Sequence, residues 1–406
     1  LGTCLISPYR GAVGNPFGLL AFSSTDAIQF HGYDDENTTV MDLTTTRVLR
    51  DPSAWYHIVC AVDTSQGTAA NRVKVYINGV QETSFSTATY PDQNKDLAWN
   101  QSATVHYIGK YQYTGATFWD GYQSEFYFID GTQYAASDFG ETDSSGIWKP
   151  IDAKDDLTFG DNGYYLEFKN SAVGSGASDT IGADTSGNDR HFTSTNVAVT
   201  DQTTDTPTNN FATANLLWIA QSANNSPTYS EGNTVVTSAD DNANDNWIST
   251  IGLSKGKWYV EAKGTASDPD ISLGFHLHTT SSTGTLQNLY GFYTDGDKAV
   301  IDGSPAGSAF GSTSQDDIIG MALDLDNTAI YFHRQGTYLD SGDPTSGASK
   351  TGAIITSGLA DEGVIGGHAY NGVAQLNFGN PAFAISSGNA DANGYGNFEY
   401  AVPSGF

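Results

Sequence analysis

Two runs of alternating side chains lie in residues 51–81, DPSAWYHIVCAVDTSQGTAANRVKVYINGVQ. Successive side chains of an extended chain point to opposite faces, so apolar residues at every second position predict a strand with one buried face. Asn78-Gly79 follows the second run and supplies the positive φ angles that a tight hairpin turn needs. The apolar positions are Tyr56, Ile58, Cys60 and Val62 in the first run and Val73, Val75 and Ile77 in the second.

A similar hairpin pattern recurs far along the chain, in residues 318–339, IIGMALDLDNTAIYFHRQGTYL. It ends at a second turn signal, Gln335-Gly336. Two separated hairpins of one plan predict an all-β chain with two antiparallel β-sandwich (jelly-roll) domains in series. The apolar positions are Met321, Leu323 and Leu325 on the first strand and Ile330 and Phe332 on its neighbour.

The domain boundary is predicted from the polar stretch DQTTDTPTNNFATAN, residues 201–215, which is rich in Thr and contains Pro207. Such a composition is typical of a linker. We therefore expect a first sandwich in residues 1–199, a linker in residues 200–215 and a second sandwich in residues 216–406. Leu-, Glu- and Lys-rich windows with helical spacing are absent, and the best short helix candidate is YAASDFGE, residues 134–141.

The composition excludes some classes of partner. Lys and Arg number 17 against 46 Asp and Glu, for a formal net charge of −29. A surface this acidic repels phosphate groups and anionic lipid, so we expect no nucleic-acid partner and no membrane binding. A membrane-spanning helix needs about 20 apolar residues, and no run approaches that length. Cys4 and Cys60 lie in strand-like runs, which favours two buried free thiols over a disulfide bond.

Five segments of residues 1–199 occur in a fixed order: DPSAWYHIVCAVDTSQ, RVKVYINGVQ, VHYIGK, FWDGYQSEFYFIDGT and DTSGNDRHF. Together they resemble the laminin-G-like and concanavalin A-like jelly rolls of tailed-bacteriophage structural proteins. The usual opening strands of such a domain are missing before Leu1. We therefore expect the chain to be an internal piece of a longer protein.

The second half contains KGKWYVEAK, DIIGMALDLDNTAIYFHRQG and AQLNFGNPAF, and it closes with GYGNFEYAVPSGF. These segments resemble a SPRY domain, and the closing segment is similar to that of SPRY-like domains in phage fibre proteins. The pairing of the two resemblances implies a structural protein of a virion, either a tail fibre or another surface appendage, in an extracellular setting. It implies other virion proteins and a host-surface glycan or receptor as partners. It also implies a homo-oligomer, a trimer if fibrous, because weak sites gain from multivalency.

The concanavalin A-like scaffold also hosts glycoside hydrolases, which cut with two carboxylates held a few Å apart. In the laminarinase-like branch both glutamates lie on one strand, a few residues from each other. The nearest two glutamates of this sequence are Glu125 and Glu141, 16 positions apart, so that arrangement is absent. Pairs from different strands, or pairs of Asp, stay open. We expect a protein that is not an enzyme and has no catalytic residues.

Sugars are commonly bound by aromatic rings, with polar groups beside them for the hydroxyls. Ring-bearing segments near turns are therefore the candidate ligand-binding segments, although each ring alone is as well explained by packing inside a sandwich. The candidates in the first domain are Trp99, Asn100, Tyr111, Tyr113, Trp119 and Asp120, and those in the second are Trp247, Tyr290, Tyr293, His368 and Tyr370.

Calcium is the cofactor that the resemblance implies, because laminin-G-like and pentraxin-like relatives often bind it near a D-x-S-G-N turn. Asp184, Ser186 and Asn188 match that turn, and hard oxygen ligands suit calcium. The same residues also form an ordinary Asx-type turn without a metal. The acidic segment YDDENTT, residues 33–39, is better explained as a solvated hairpin tip. His276 and His278 could hold a metal only with a third ligand from elsewhere.

Several functions remain open at this point. The first is a virion surface protein that binds a host glycan or receptor. The second is a capsid or tail decoration protein without a small ligand, and the others are a glycoside hydrolase and a cellular adhesin. Exposed rings over a sheet would favour the first function, whereas a close pair of buried carboxylates in a groove would favour hydrolysis.

Overall fold

The structure is a computed structural model, and it describes residues 2–11, 17–34, 38–51, 54–99, 101, 104–112, 117–144, 146–198, 201–203, 205–207, 209–218, 227–238, 245–265, 270–277, 288–359, 362–370 and 372–406. The chain divides into two compact units, Leu1–Gln202 and Thr203–Phe406. Both units are built from antiparallel sheets, so the all-β prediction is confirmed. Among the described residues, every helix is too short to cross a membrane.

The first unit contains a six-stranded sheet with the order β8-β4-β3-β2-β1-β9 and a three-stranded sheet with the order β5-β6-β7. The smaller pairs are β10-β11, β12-β15 and β13-β14. Its described strands are β1 (Cys4–Tyr9), β2 (Gly18–Phe22), β3 (Ala27–Tyr33), β4 (Thr39–Val48), β5 (Ile58–Val62), β6 (Val73–Ile77), β7 (Val80–Gln81), β8 (Phe85–Thr89), β9 (Val105–Ile108), β10 (Lys110–Tyr111), β11 (Thr117–Phe118), β12 (Phe126–Phe128), β13 (Gly140–Thr142), β14 (Trp148–Pro150) and β15 (Tyr164–Leu166).

The predicted first hairpin is confirmed. Strands β5 and β6 pair in antiparallel register, and Asn78 and Gly79 have φ angles of 48° and 78° at the turn into β7. The polar excursion between β5 and β6 ends in a single helical turn, α1 (Ala69–Arg72). The apolar face of β6 packs against the inner face of the six-stranded sheet, and the core between them contains Ile28, Phe30, Met41, Leu43, Val73, Val75 and Ile77.

Glycine is required at the hairpin tip for a second reason besides its φ angle. A Cβ atom on Gly79 would lie 2.3 Å from the Trp148 ring. The Trp148 indole donates a hydrogen bond from Nε1 to Nδ1 of His57, at 2.9 Å. The tip of the hairpin is therefore held by a ring from a strand that lies much later in the sequence.

The second unit contains two large sheets, with the orders β16-β17-β28-β19-β24-β25-β26 and β18-β27-β20-β21-β22-β23. Its described strands are β16 (Thr228–Ser230), β17 (Val235–Thr237), β18 (Asp245–Leu253), β19 (Lys257–Gly264), β20 (Asp270–Leu277), β21 (Leu289–Tyr293), β22 (Lys298–Ile301), β23 (Ser304–Ala306), β24 (Ile318–Asp324), β25 (Ala329–Arg334), β26 (Thr337–Tyr338), β27 (Gly363–Tyr370) and β28 (Val373–Asn377).

The two sheets of the second unit pack face to face. Their shared core takes apolar side chains from both, so the sandwich prediction is confirmed. The predicted hairpin of residues 318–339 is formed by β24 and β25, with the turn into β26 at Gln335-Gly336. Core members include Val260, Met321, Leu323, Ile330 and Phe332 from one sheet and Phe275, Phe292 and Ile365 from the other.

Part of the stretch predicted as a linker packs on the second unit. Ala214 is fully buried in that unit's core, and its N–H donates to the Asn233 carbonyl at 2.9 Å. The Asn215 N–H likewise donates to the Ile248 carbonyl at 2.8 Å. Residues 214 and 215, at the end of the predicted linker, therefore pack with the second unit.

Two smaller predictions can also be compared with the structure. The helix candidate in residues 134–141 contains one 3-10 turn, Ala136–Asp138. Cys4 and Cys60 are both free thiols, with Cys4 buried and Cys60 half-buried. Burial raises the pKa of both thiols to about 12, so neither is a reactive thiolate at neutral pH. The other 3-10 helices are Lys154–Asp156, Leu339–Ser341 and Pro344–Ser349.

Candidate functional site

The six-stranded sheet of the first unit has an inner face on the core and an opposite, outer face. On β3 the alternation places Ile28 and Phe30 inside, so Gln29, His31 and Tyr33 lie on the outer face. Strand pairing continues this face across the sheet. One row of outer-face residues runs from edge to edge: Tyr107 on β9, Ser7 on β1, Leu19 on β2, His31 on β3, Asp42 on β4 and Thr89 on β8.

The centre of this row is a hydrogen-bonded polar group. His31 Nε2 lies 2.6 Å from Asp42 Oδ1, and the Thr44 hydroxyl donates to the same carboxylate oxygen at 3.2 Å. The Gln29 amide lies 2.8 Å from His31 Nε2. The exposed fractions of the His31 and Asp42 side chains are 11% and 20%, so His31 is buried and Asp42 is the more open member of the pair. Burial lowers the pKa of His31, although the Asp42 carboxylate opposes that shift.

Aromatic rings lie beside the polar group on the same face. Phe17 and Tyr33 stack with ring centroids 4.1 Å apart, and the Tyr33 ring is 6.0 Å from the His31 ring. Tyr111, one of the predicted ligand-binding residues, is buried behind Phe17 at a centroid distance of 6.3 Å. Tyr33 is the half-buried ring of this group. We call Gln29, His31, Tyr33, Asp42 and Thr44 the outer-face cluster.

The other ring candidates of the first unit do not join the outer-face cluster. Trp99 packs on Phe30 with centroids 5.2 Å apart, which places it at the core. Glycine at position 18 makes room for the Trp99 ring, because a Cβ atom on Gly18 would lie 2.9 Å from the indole. Trp119 packs on Phe22 at 5.6 Å, and Asp120 is exposed. Both tryptophans are half-buried and pack on phenylalanine rings, and their predicted ligand-binding role stays a prediction. Asn100 and Tyr113 lie outside the described residues.

The predicted calcium turn does not fit a metal. Oδ1 of Asp184 accepts hydrogen bonds from the Tyr165 and Ser186 N–H groups, both at 2.9 Å, and Oδ2 accepts one from the Arg190 N–H at 2.8 Å. These donors outweigh burial and lower the pKa of Asp184. The Asn188 amide donates to the Gly160 and Gly163 carbonyls.

The turn therefore uses its oxygen atoms for backbone groups, as an Asx-type turn does. Ser186 also takes part, since its hydroxyl accepts a hydrogen bond from the Asn188 N–H. Within the described parts of the chain, no group of three or more His, Cys, Asp or Glu side chains could hold a metal ion. His278 lies outside those parts.

The second unit has a polar group on the outer face of its six-stranded sheet. Asp270 Oδ1 lies 3.3 Å from His368 Nε2, and the Tyr293 hydroxyl lies 3.3 Å from Asp270 Oδ2 and 3.4 Å from Asp295 Oδ2. The Tyr293 and His368 rings meet edge to face at 5.1 Å. Strand register explains the meeting, because Ser272 on β20 pairs with both of these residues on its two neighbouring strands.

Ser272 fixes the orientation of this histidine. Its Oγ accepts the His368 backbone N–H at 3.0 Å and lies 2.8 Å from Nδ1 of the same ring. A serine hydroxyl that accepts the backbone donor can still donate its own proton to Nδ1. The Nε2–H then points at Asp270. We call Asp270, Ser272, Tyr293, Asp295 and His368 the second-unit cluster.

The remaining predicted residues of the second unit lie elsewhere. Trp247 is fully buried in the core against Phe378, so its ring is not open to a ligand in this structure. Tyr290 packs on the same core. Tyr370 is half-buried and pairs with Asp270 in register. Tyr293 and His368 are therefore the predicted residues that the fold brings together here.

Two glutamates also meet across strands in the first unit. Phe126 pairs with Leu166 at the end of a strand ladder, and Glu125 and Glu167 are the residues next to that last pair. Burial, together with repulsion from Asp152 and Glu167, raises the pKa of Glu125. Burial would also raise the pKa of Glu167, but hydrogen bonds from Lys169, at 2.8 Å, and from Thr185 lower it overall. A pair whose pKa values are pushed apart is the pattern that a hydrolase would need.

Sequence reasoning missed the central members of both clusters. His31, Asp42 and Gln29 had no signal other than strand alternation, and Asp270 and Ser272 lay in the strand-like segment PDISLGFHL. A polar residue on an alternating strand normally faces solvent as a single side chain. Strand pairing brings such residues together from distant parts of the sequence, and this pairing could not be predicted from the alternation of a single strand.

Comparisons with known proteins bear on the first unit. A family model for the Concanavalin A-like lectin/glucanases superfamily matches residues 3–137. No curated protein matches the chain. Among solved structures, the chain is similar to the crystal structure of the SPRY domain of human HERC1, with 12% identity, a TM-score of 0.29, and coverage of 35% of this chain and 87% of that chain. Residues 3–137, which contain the outer-face cluster, are therefore similar to the concanavalin A-like lectins and glucanases.

Proposed function

We propose that the chain is a non-enzymatic binding protein whose first unit holds a carbohydrate on the outer face of its six-stranded sheet. The observation that carries this proposal is the outer-face cluster: a half-buried Tyr33 ring beside the hydrogen-bonded His31–Asp42 pair. It lies inside the residues that match the lectin and glucanase superfamily. An aromatic face and polar groups at one place suit the two sides of a sugar ring.

The architecture of the cluster favours binding with little rearrangement. Its residues come from adjacent strands, and side chains on strands are held more rigidly than those on loops. Thr87 and Thr89 on the edge strand β8 are exposed next to Thr44 and Asp42, respectively, and add hydroxyl groups to the same face. A surface that is already ordered loses less entropy when a sugar binds.

The second-unit cluster supplies a second candidate surface. It combines a ring, Tyr293, with the Asp270 and Asp295 carboxylates and His368. Two weak sites on one chain, multiplied by oligomerisation, would give useful avidity to a protein that attaches to a glycan-covered surface.

We also propose the setting that the sequence resemblance implies: a virion tail fibre or surface appendage that binds a host-surface glycan or receptor and associates with other virion proteins. A fibrous part of this kind would be a homotrimer. Sedimentation of the purified chain is expected to give the mass of three 43.1 kDa chains. A monomer at micromolar concentration would count against a tail fibre and favour a capsid or tail decoration protein.

A glycan array with the full chain tests the carbohydrate proposal. Hits are expected to weaken at least tenfold, by titration calorimetry, in Asp42→Asn, which removes a charged acceptor, and in Tyr33→Ala, which removes the ring. Asp92→Asn is the matched control, because Asp92 is an exposed aspartate of the same unit and is not a member of the outer-face cluster.

Circular dichroism would verify that all three variants are folded. An array with no hits, or equal affinities for Asp42→Asn and Asp92→Asn, would contradict the proposal. A decoration protein without a small ligand would then be the better interpretation.

A further inference from the structure

One lysine of the first unit has an unusual environment. Nζ of Lys110 lies 5.7 Å from the centroid of the Tyr107 ring and 5.8 Å from that of the Phe118 ring. Strand pairing fixes the arrangement, because Lys110 on β10 is directly opposite Phe118 on β11. Both contacts are within the range in which a ring face attracts a cation. The ammonium group is therefore held between two aromatic rings.

This lysine lies at one end of the outer-face row. Tyr107 is the member of that row on the edge strand β9, four strands away from Asp42 on β4. Val105, two residues before it on the same face, is 54% exposed, and Phe118 is 53% exposed. Large apolar side chains that cluster on a surface commonly mark a binding site. We call Val105, Tyr107, Lys110 and Phe118 the edge cluster.

Lys110 differs in its surroundings from the lysines of the first unit that form ion pairs. Three other lysines of the first unit pair with carboxylates: Lys95 at 3.2 Å, Lys149 at 2.8 Å and Lys169 at 2.8 Å. For Lys110, no carboxylate within the described residues comes within the 4.0 Å of an ion pair. Its rings supply only a neutral environment. A positioned cation without a counter-ion is suited to receive an anionic group from a ligand.

We propose that the edge cluster binds the carboxylate of an acidic saccharide, with Lys110 as the cation and Tyr107 and Phe118 against the sugar ring. This inference rests on the proposed carbohydrate function and names its ligand class. Four strand spacings, or about 19 Å, separate β9 from β4, and Ser7 and Leu19 in the row between them are buried, so the edge cluster is a subsite distinct from the outer-face cluster.

The net charge of −29 is compatible with such a ligand. Interactions between exposed charges are largely screened beyond about 8 Å at physiological ionic strength. A single carboxylate at the edge cluster therefore interacts with Lys110 and is screened from the acidic residues that lie farther away than this. A polyanion would place many charges over the acidic surface and would be repelled.

The test uses the full chain and matched ligands: acidic oligosaccharides that bind on the array, and the same compounds after reduction of the carboxyl group to a hydroxymethyl group. The wild-type chain is expected to bind the acidic form at least tenfold more tightly. Lys110→Met, which keeps the apolar stem, is expected to lose that preference and retain the affinity for the reduced form. Lys74→Met is the control, because Lys74 is also half-buried in the first unit and has no carboxylate within 4.0 Å among the residues that the structure describes.

The outcomes separate this inference from the carbohydrate proposal. If Lys110→Met keeps the full preference, or if the wild-type chain binds both forms equally, the acidic-saccharide inference is wrong and the carbohydrate function stands. If neither form binds, the carbohydrate function itself fails. A loss of preference in Lys110→Met but not in Lys74→Met would support the inference.

Discussion

The second unit contains two groups of the same residue types, a histidine, a tyrosine and carboxylates, on its two opposite sheets. On the seven-stranded sheet, Tyr259 links His333 at 2.6 Å and Glu261 at 3.0 Å. On the six-stranded sheet, the second-unit cluster links His368, Asp270 and Tyr293. Composition does not distinguish the two groups. Their hydrogen bonds and their exposure do.

Every oxygen lone pair of Glu261 is used. Its Oε1 accepts from the Tyr259 hydroxyl and the Tyr400 N–H, and its Oε2 accepts from the Asn377 amide and the Glu399 N–H. The C-terminal segment thus closes over a carboxylate that is fully buried. Burial raises the pKa of Glu261, and these four donors oppose that shift. Such a saturated group holds structure and offers nothing to a ligand.

The second-unit cluster is less saturated and partly open. The Asp270 side chain is 16% exposed, and Asp295 is exposed. The Tyr293 hydroxyl has one proton but two carboxylates within 3.4 Å, so at least one of them is left to accept from elsewhere. A candidate binding surface is therefore identified by partly exposed carboxylate oxygens that can still accept a hydrogen bond, and not by residue type alone.

The largest expected effect is on stability, from a change in the saturated group around Glu261. Glu261→Gln would turn an amide N–H₂ toward donors and leave buried groups without an acceptor, and we expect a loss of about 3 kcal/mol in the free energy of unfolding. Urea denaturation measures it. Glu362→Gln, at an exposed position, is the control and is expected to be neutral. An equally small change in both variants would contradict a structural role for Glu261.

The next effect is a pH dependence from the same group. Burial lowers the pKa of His333 to about 4, whereas an unfolded histidine has a pKa of 6.5. The unfolded chain therefore binds a proton that the folded chain excludes, and stability is present above pH 6.5 and lost as the pH falls toward 4. One such group contributes a slope of at most about 1.4 kcal/mol per pH unit.

Urea titrations between pH 4.5 and 8 would measure this slope. In His333→Asn the slope should correspond to about one proton fewer taken up on unfolding. Burial also lowers the pKa of His106 in the first unit to about 4, and its contribution to the slope should remain. An unchanged slope in His333→Asn would show that His333 is not the group that excludes the proton.

A smaller effect on stability is expected from a change in the second-unit cluster. Asp270→Asn removes the pairing with His368 at the edge of solvent, where such pairs contribute about 1 kcal/mol or less. The unfolding free energy should change little, while binding of any glycan to the second unit should weaken. Thermal denaturation and titration of the same sample give both values. A stability loss as large as that of Glu261→Gln would remove the distinction between the two groups.

The smallest expected effect is no effect. Incubation with the oligosaccharides that bind on the array should release no reducing ends, because the proposed function is binding without hydrolysis. Glu125→Gln and Glu167→Gln should therefore leave binding and product formation unchanged. Product formed by the wild-type chain and lost in both variants would overturn the non-enzymatic proposal and identify the acid and its partner.

The sequence predicted the fold better than the site, for a physical reason. Alternation in β5, β6, β24 and β25 is a local property, so it identified the strands and turns directly. The outer-face cluster depends on which strands are neighbours, and β1, β2, β3, β4 and β9 were not predicted to form one sheet. The ligand-binding role of aromatic residues was the hardest feature to predict, because a ring such as that of Trp99 or Trp247 can pack in a core as readily as it can bind a ligand.

The resemblance of the first unit to concanavalin A-like domains is confirmed for residues 3–137. The SPRY resemblance and the virion setting stay predictions. The two glutamates Glu125 and Glu167 illustrate the limit of spacing arguments, since positions 42 residues apart lie at the end of one strand ladder and interact electrostatically.

The closure over Glu261 has a consequence for how the second unit is assembled. The carboxylate bonds to main-chain groups 138 and 139 positions later in the sequence. A chain shortened before residue 399 would therefore lose two of the four donors to this buried carboxylate. Because a buried carboxylate without its donors is costly, such a truncation is expected to destabilise the whole second unit and not only its last segment.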